Sequence, residues 1–148
     1  MPAPACLGVA GGAGRSRGPA LRCFVVCEVF MVLTRVDHID LKVPDLSVAL
    51  AFFATLGFVE VNRTPARGSV EVALPGSEQV VFELREDATL DAFVIDHLAF
   101  SSTDQAADVQ TLEAAGHAFS RANTFIPVTG KTISDFTDPY GMRWQLTD

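Results

Sequence analysis

No cysteine follows position 27: Cys6, Cys23 and Cys27 all fall in the first thirty residues. A disulfide framework or a cysteine-based metal site is therefore not expected to organise the remaining chain. No run of eighteen apolar residues occurs, so no transmembrane helix is expected. Basic residues are also scarce, eleven against eighteen acidic, for a net charge of −7. That balance argues against nucleic acid, because phosphate binding needs clustered Lys and Arg. A Ser-His-Asp arrangement, a P-loop and a Gly-rich dinucleotide fingerprint are all missing. What is present is 148 residues, 49% apolar and 20% charged. Such a composition suits one globular domain, or two small modules sharing a core.

The first thirty residues differ from the rest. Residues 1–18 are mostly Ala, Gly, Pro and Arg, without helical or strand periodicity. Arg15, Arg17 and Arg22 are here, with Glu28 as the sole acid, so the body holds eight basic and seventeen acidic residues. Basic residues ahead of an apolar run suggest a signal peptide. Against it, Glu28 interrupts the run and no small-x-small cleavage site follows. The other reading is a misplaced start, with Met31 as initiator. Residues 1–30 are set aside as a leader, and 31–148 are expected to form one domain.

In that domain Val36 to Val43 alternates, with Ile39, Leu41 and Val43 facing one way and His38, Asp40 and Lys42 the other, as in a half-buried strand. Asp45 is placed to cap a helix. Leu46, Ala49, Leu50, Phe53 and Leu56 give that helix one apolar stripe, and Gly57 stops it. Strands are expected at Phe58–Arg63, Ser69–Ala73 and Gln79–Leu84, punctuated by Pro65, Gly68, Pro75 and Gly76. The pattern then restarts. Ile95 to Ser101 reads as a strand, Ser102 and Gln105 as a capping box, and Gly116 as the stop of a second helix. Phe119–Ala122, Lys131–Thr137 and Arg143–Thr147 read as strands, with a turn at Asp138 to Gly141.

An internal repeat ties these elements together. Asp37-His38-Ile39 matches Asp96-His97-Leu98, and Gly57 and Gly116 each lie nineteen residues after their histidine. Phe82-Glu83-Leu84 matches Trp144-Gln145-Leu146. The expected architecture is α+β: two βαβββ modules, 35–86 and 94–148, forming a concave mixed sheet with helices on its outer face.

Strand parity sends His38, Glu83, His97 and Gln145 to the face opposite the apolar residues. Two imidazoles and a carboxylate on one concave surface are a ligand set for a divalent transition metal such as Ni, Co, Zn, Mn or Fe. Gln145 adds a weaker, neutral oxygen. Taken singly, a strand histidine is more often a hydrogen-bonded structural residue, and Gln145 equally suits the wall of a metal-free cup. Arg85, Arg143 and Lys131 could bring positive charge to the cup, although exposed strand-end arginine is commoner. Trp144, Phe136 and Phe100 read as core. His117 reads as a solvent-exposed residue after the second helix.

The stretches DHIDLKVPDLSVALAFFATLGF, DHLAFSSTD and DPYGMRWQL resemble the vicinal-oxygen-chelate superfamily, which includes glyoxalase I, extradiol dioxygenases, methylmalonyl-CoA epimerase and bleomycin resistance proteins. The resemblance runs over nearly all of Arg35 to Asp148. It implies metal positions at His38, Glu83, His97 and Gln145. The last departs from the family's usual Glu, and an amide cannot act as a general base. Glu83 is then the only carboxylate of the quartet and the candidate catalytic residue, as ligand, base or both.

Three functions follow as expectations. The first is a glyoxalase-like metal-dependent lyase or isomerase acting on a small vicinal-oxygen carbonyl substrate through a chelated enediolate. The second is an Fe(II) dioxygenase of extradiol type, the third a metal-free binding or resistance protein. The resemblance also implies a homodimer. A cytoplasmic protein with a small-molecule ligand and neither nucleic-acid nor membrane partners is expected. The acidic body favours a neutral or cationic ligand.

Overall fold

The computed structural model describes Met31 and residues 33–148, so both readings of the leader lie outside the described residues. The first module runs β1 (Leu33–Val43), α1 (Leu46–Thr55), β2 (Val59–Thr64), a short 3-10 turn (Pro65–Arg67), β3 (Ser69–Ala73) and β4 (Val81–Glu86). The second repeats it with β5 (Val94–Ser102), α2 (Gln105–Ala114), β6 (Phe119–Ile126), β7 (Lys131–Thr137) and β8 (Arg143–Thr147). All eight strands join one open sheet in the order β2-β3-β4-β1-β5-β8-β7-β6. The β1/β4 and β5/β8 pairs are parallel and the rest antiparallel, which makes the sheet mixed, as expected.

Local chemistry explains the helix ends. Asp45 caps α1 by accepting hydrogen bonds from the backbone N–H groups of Ser47 and Val48, and Gly57 takes φ 88° after it. These satisfy N–H groups that the first turn leaves without partners. At α2 the expected capping box is replaced. Asp104 is the N-cap and accepts from Ala107, while Ser102 donates to Asp108. Gln105 is buried and bonds Ser134 and the Thr132 carbonyl, so tertiary contacts override the local motif.

The apolar residues lie under the helices. Ala49 and Phe53 of α1 pack on Leu41, Val43, Val70, Val72 and Leu84. Val109 and Leu112 of α2 pack with Leu146, flanked by Phe100, Phe119 and Phe136. Trp144 stacks on Phe100 at 5.8 Å. His117 is half-buried, with its ring against Phe136, and not solvent-exposed as its position after a helix stop suggested. The opposite face of the sheet is left to polar side chains.

Candidate metal centre

Two rows of side chains cross the polar face. Pairing along one row is Glu71–Glu83–Asp40–His97–Arg143, from β3 through β4, β1 and β5 to β8. The neighbouring row is His38–Ala99–Gln145–Asp135, from β1 to β7. Side chains in one row share a face of the sheet. Ala99 is fully buried at the centre, where its single methyl leaves room above the floor. His38, Glu83, His97 and Gln145 all line one cavity of about 830 Å³.

Parity alone would put Asp37 opposite His38, and Asp96 opposite His97. The structure does otherwise. Between the pairs Val36–Phe100 and His38–Ala99, β1 carries one extra residue, Asp37; between Asp40–His97 and Leu41–Ile95, β5 carries one extra, Asp96. Such bulges re-aim side chains. Asp37 Oδ2 lies 2.8 Å from His38 Nδ1, and Asp96 Oδ2 lies 2.9 Å from His97 Nδ1.

The carboxylates fix the imidazoles. Asp37 can only accept when ionised, so His38 holds its proton on Nδ1 and turns the Nε2 lone pair to the cavity. Burial works against the charge on Asp37, but hydrogen bonds from His38 and Lys131 outweigh it and hold the carboxyl well below its usual range. Asp96 is likewise held low, burial being outweighed by His97, Lys42, Arg143 and Arg85. Burial keeps His97 neutral by lowering its pKa, against the opposing pull of Asp96.

The two Nε2 atoms are 3.2 Å apart, and Glu83 Oε2 is 3.7 Å from that of His38. Two nitrogens bound to one ion at about 2.1 Å each would stand roughly 3.0–3.4 Å apart. Glu83 is 3% exposed and its Oε1 is buried with no hydrogen bond; Arg67 stands 3.4 Å away as an ion pair without hydrogen-bond alignment. A buried carboxylate with one oxygen lacking a hydrogen bond and the other facing one of two opposed imidazole nitrogens fits a cation. His97 has two tautomers. With its proton on Nδ1 it donates to Asp96, and both Nε2 lone pairs face each other; with the proton on Nε2 it donates to His38 and accepts from Arg143, whose guanidinium is 2.7 Å from Nδ1.

A more compact trio exists: Asp40, Asp96 and His97 place ligand atoms within 4.8 Å of one another, alone in that respect among the described residues. Its oxygens are already occupied. Arg85 binds both oxygens of Asp40, and Lys42, Arg85 and Arg143 meet Asp96. This is an ion-pair network on the same face of the sheet, and it braces His97 from the side.

Sequence reasoning missed three features of the cavity. Glu71 lines it, directly across from Glu83, and has no hydrogen-bond or ion-pair partner among the described residues. Its setting in Ser-Val-Glu-Val reads as plain alternation, and only the pairing register shows what it faces. Arg67 enters from the 3-10 turn, and Arg121 from β6. Together with Arg63, Arg85, Lys131 and Arg143 they put six of the body's eight cations on the cavity wall. The acidic body thus encloses a cup whose wall is locally cationic, reversing the expectation drawn from net charge.

The family model described as Glyoxalase/Bleomycin resistance protein/Dioxygenase superfamily matches residues 35–146. The fold is similar to that of methylmalonyl-CoA epimerase from Mycobacterium tuberculosis, with a TM-score of 0.63 and 23% identity over 79% of this chain and 89% of that one. It is also similar to a point variant of the Streptomyces coelicolor epimerase in complex with 2-nitronate-propionyl-CoA, with a TM-score of 0.62 and 22% identity over 78% and 96%. A hypothetical protein from Bacillus halodurans gives a TM-score of 0.59 and 16% identity over 76% and 92%. At these identities the likeness concerns the fold. Comparison with curated proteins finds no match. No described helix is long and apolar enough to cross a membrane.

Proposed function

The chain belongs to the Glyoxalase/Bleomycin resistance protein/Dioxygenase superfamily, and from that premise we propose that it is a metal-dependent isomerase or lyase moving a proton on the carbon beside a carbonyl of a small anionic substrate. The observation that carries this reading is the pair of Nε2 atoms 3.2 Å apart, with Oε2 of the buried Glu83 3.7 Å from that of His38. His38, His97 and Glu83 would hold the ion, with Gln145 as a fourth, neutral donor. A divalent ion bound there supplies Lewis acidity that polarises a substrate oxygen and stabilises negative charge as it develops.

With Glu83 engaged as a ligand, Glu71 is the carboxylate left to act as base. It has no partner among the described residues, lines the same cavity and neighbours Glu83. A base must reach the proton it takes, and a partnerless carboxylate at the cavity wall can do so. An epimerase removes and returns a proton at one carbon, which is the chemistry this donor set suits. Anionic substrate groups would meet the cationic wall. Arg143, whose buried Nε has no acceptor among the described residues, and the one-third-exposed Arg67 are the groups best placed for them.

The test is deuterium incorporation from D2O, followed by NMR, into α-branched acyl thioesters and into hemithioacetals, with metal content measured on the same full-length preparation. Exchange that depends on bound metal is expected. Glu71→Gln should retain metal and lose exchange, whereas Glu83→Gln should lose both. Metal-replete protein inactive on every compound, or exchange that survives Glu71→Gln, would overturn the assignment.

A second reading rests on the other tautomer of His97. Arg143 donating to His97, and His97 to His38, closes the network without an ion, as suits a binding protein. Protein that stays metal-free after expression in supplemented medium, yet binds an anionic ligand tightly, would favour it.

A further inference from the structure

We infer that Asp135 is a positioning residue that locks the Gln145 carboxamide so that its oxygen, and not its NH2, serves the metal centre, an inference resting on the metal-dependent reading above. Gln145 Nε2 donates to Asp135 Oδ1 at 2.8 Å, and both residues are about 5% exposed or less. An amide can be turned over about its terminal bond at little local cost, and only its partners decide which end faces which way. Asp135 decides it here. A carboxylate accepts hydrogen bonds and offers none, so the flipped amide would set its carbonyl against a buried negative oxygen. Arg121 holds the other oxygen of Asp135, with Nε at 2.8 Å from Oδ2, which fixes that carboxylate in place. The oxygen of Gln145 then points away from Asp135, and Gln145 is part of the wall shared with His38 and His97.

The same pair explains why position 145 holds an amide. Asp135 and Gln145 are directly paired across β7 and β8, as Glu71 and Glu83 are across β3 and β4. In the first module one of the two acids can give its charge to a cation. In the second, a Glu at 145 would face the buried Asp135 at hydrogen-bond distance, and two such charges repel. The repeat has therefore divided its donors: a carboxylate from one half, an oriented neutral oxygen from the other. A cation at the centre would meet one negative charge from its first ligands instead of two.

Cobalt(II) is the probe, titrated into the metal-free full-length chain and followed by visible absorption as well as by calorimetry. Asp135→Asn, nearly isosteric, should weaken cobalt binding roughly 10- to 100-fold, as loss of an outer partner of a ligand does. Gln145→Ala should weaken it similarly, and the double variant should be no weaker than Gln145→Ala alone. The cobalt spectra of the three variants should match one another and differ from wild type. Gln145→Glu should lower the melting temperature, and adding Asp135→Asn to it should restore that temperature. Wild-type affinity and spectrum in Asp135→Asn would overturn the inference while leaving the metal reading intact. A penalty that persists in the Gln145→Ala background would also overturn it, because Asp135 would then act otherwise than through Gln145. Wild-type protein that binds no cobalt would overturn both.

Discussion

Asp37 and Asp96 are bulged residues of the central β1/β5 pair, and each turns its carboxylate onto the Nδ1 of the histidine that follows it. The Asp-His dipeptide, seen twice in the sequence, is thus a device for presenting Nε2 as a lone pair. Asp37→Asn should leave the fold intact and reduce metal affinity by about tenfold or more. Competition against a chromophoric chelator measures it. Unchanged affinity would mean that the bulge serves the strand pairing alone.

Ala99 keeps the floor open between His38 and Gln145. Ala99→Leu should drive a branched side chain into that space. Overpacking of this kind costs about 1–3 kcal/mol, and metal uptake should be lost even in protein that still melts cooperatively. Full metal binding by the variant would show that the donors meet elsewhere.

Arg85 neutralises the fully buried Asp40 through two hydrogen bonds of 2.7 and 2.8 Å. Replacing one partner of such a pair strands the other charge. Arg85→Met should therefore destabilise the fold by about 3 kcal/mol, the low end for a buried pair because Arg85 is a quarter exposed. The urea midpoint should fall with the slope unchanged. A shift below one third of that size would mean that Lys42 and Arg143 take over the neutralisation.

Stability of the metal-free protein should fall in two stages on acidification. His97 has its pKa lowered from an ordinary 6.5, by burial first. The unfolded chain therefore takes up that proton before the folded one, and stability begins to drop as pH falls below about 6.5. Asp37 and Asp96 are held well below their ordinary 3.8, since hydrogen bonds to their partners outweigh burial. Their contribution is complete above that value and disappears as pH falls further through the folded-state values. Denaturant midpoints between pH 7 and pH 3 would trace the first stage and the onset of the second. Constant stability down to pH 5 would contradict the assignment for His97.

Period-two and helical spacing sufficed to set out the strands, helices and repeat, because binary pattern is what the buried face selects. Parity also sent His38, Glu83, His97 and Gln145 to one face, and they line one cavity. Lateral pairing is not written in the local pattern. Glu71 lies twelve residues before Glu83, but Asp135 lies ten before Gln145, so unequal hairpins conceal their equivalence. The bulges at Asp37 and Asp96 defeat parity by one residue, and net charge hides a cationic wall built from a minority of residues. The capping box failed for a related reason. Gln105 had a stronger use in Ser134 and the Thr132 carbonyl than at the start of its own helix.

The two halves of the domain are stitched along one seam, β1 against β5, and the paired histidines sit one on each side of it. Anything gripping both rings acts as a clasp across that seam. Occupancy then opposes separation of the halves, and the domain should resist heat in proportion to the logarithm of free ion concentration once the clasp is saturated. Neither half, made alone, would carry more than part of the grip.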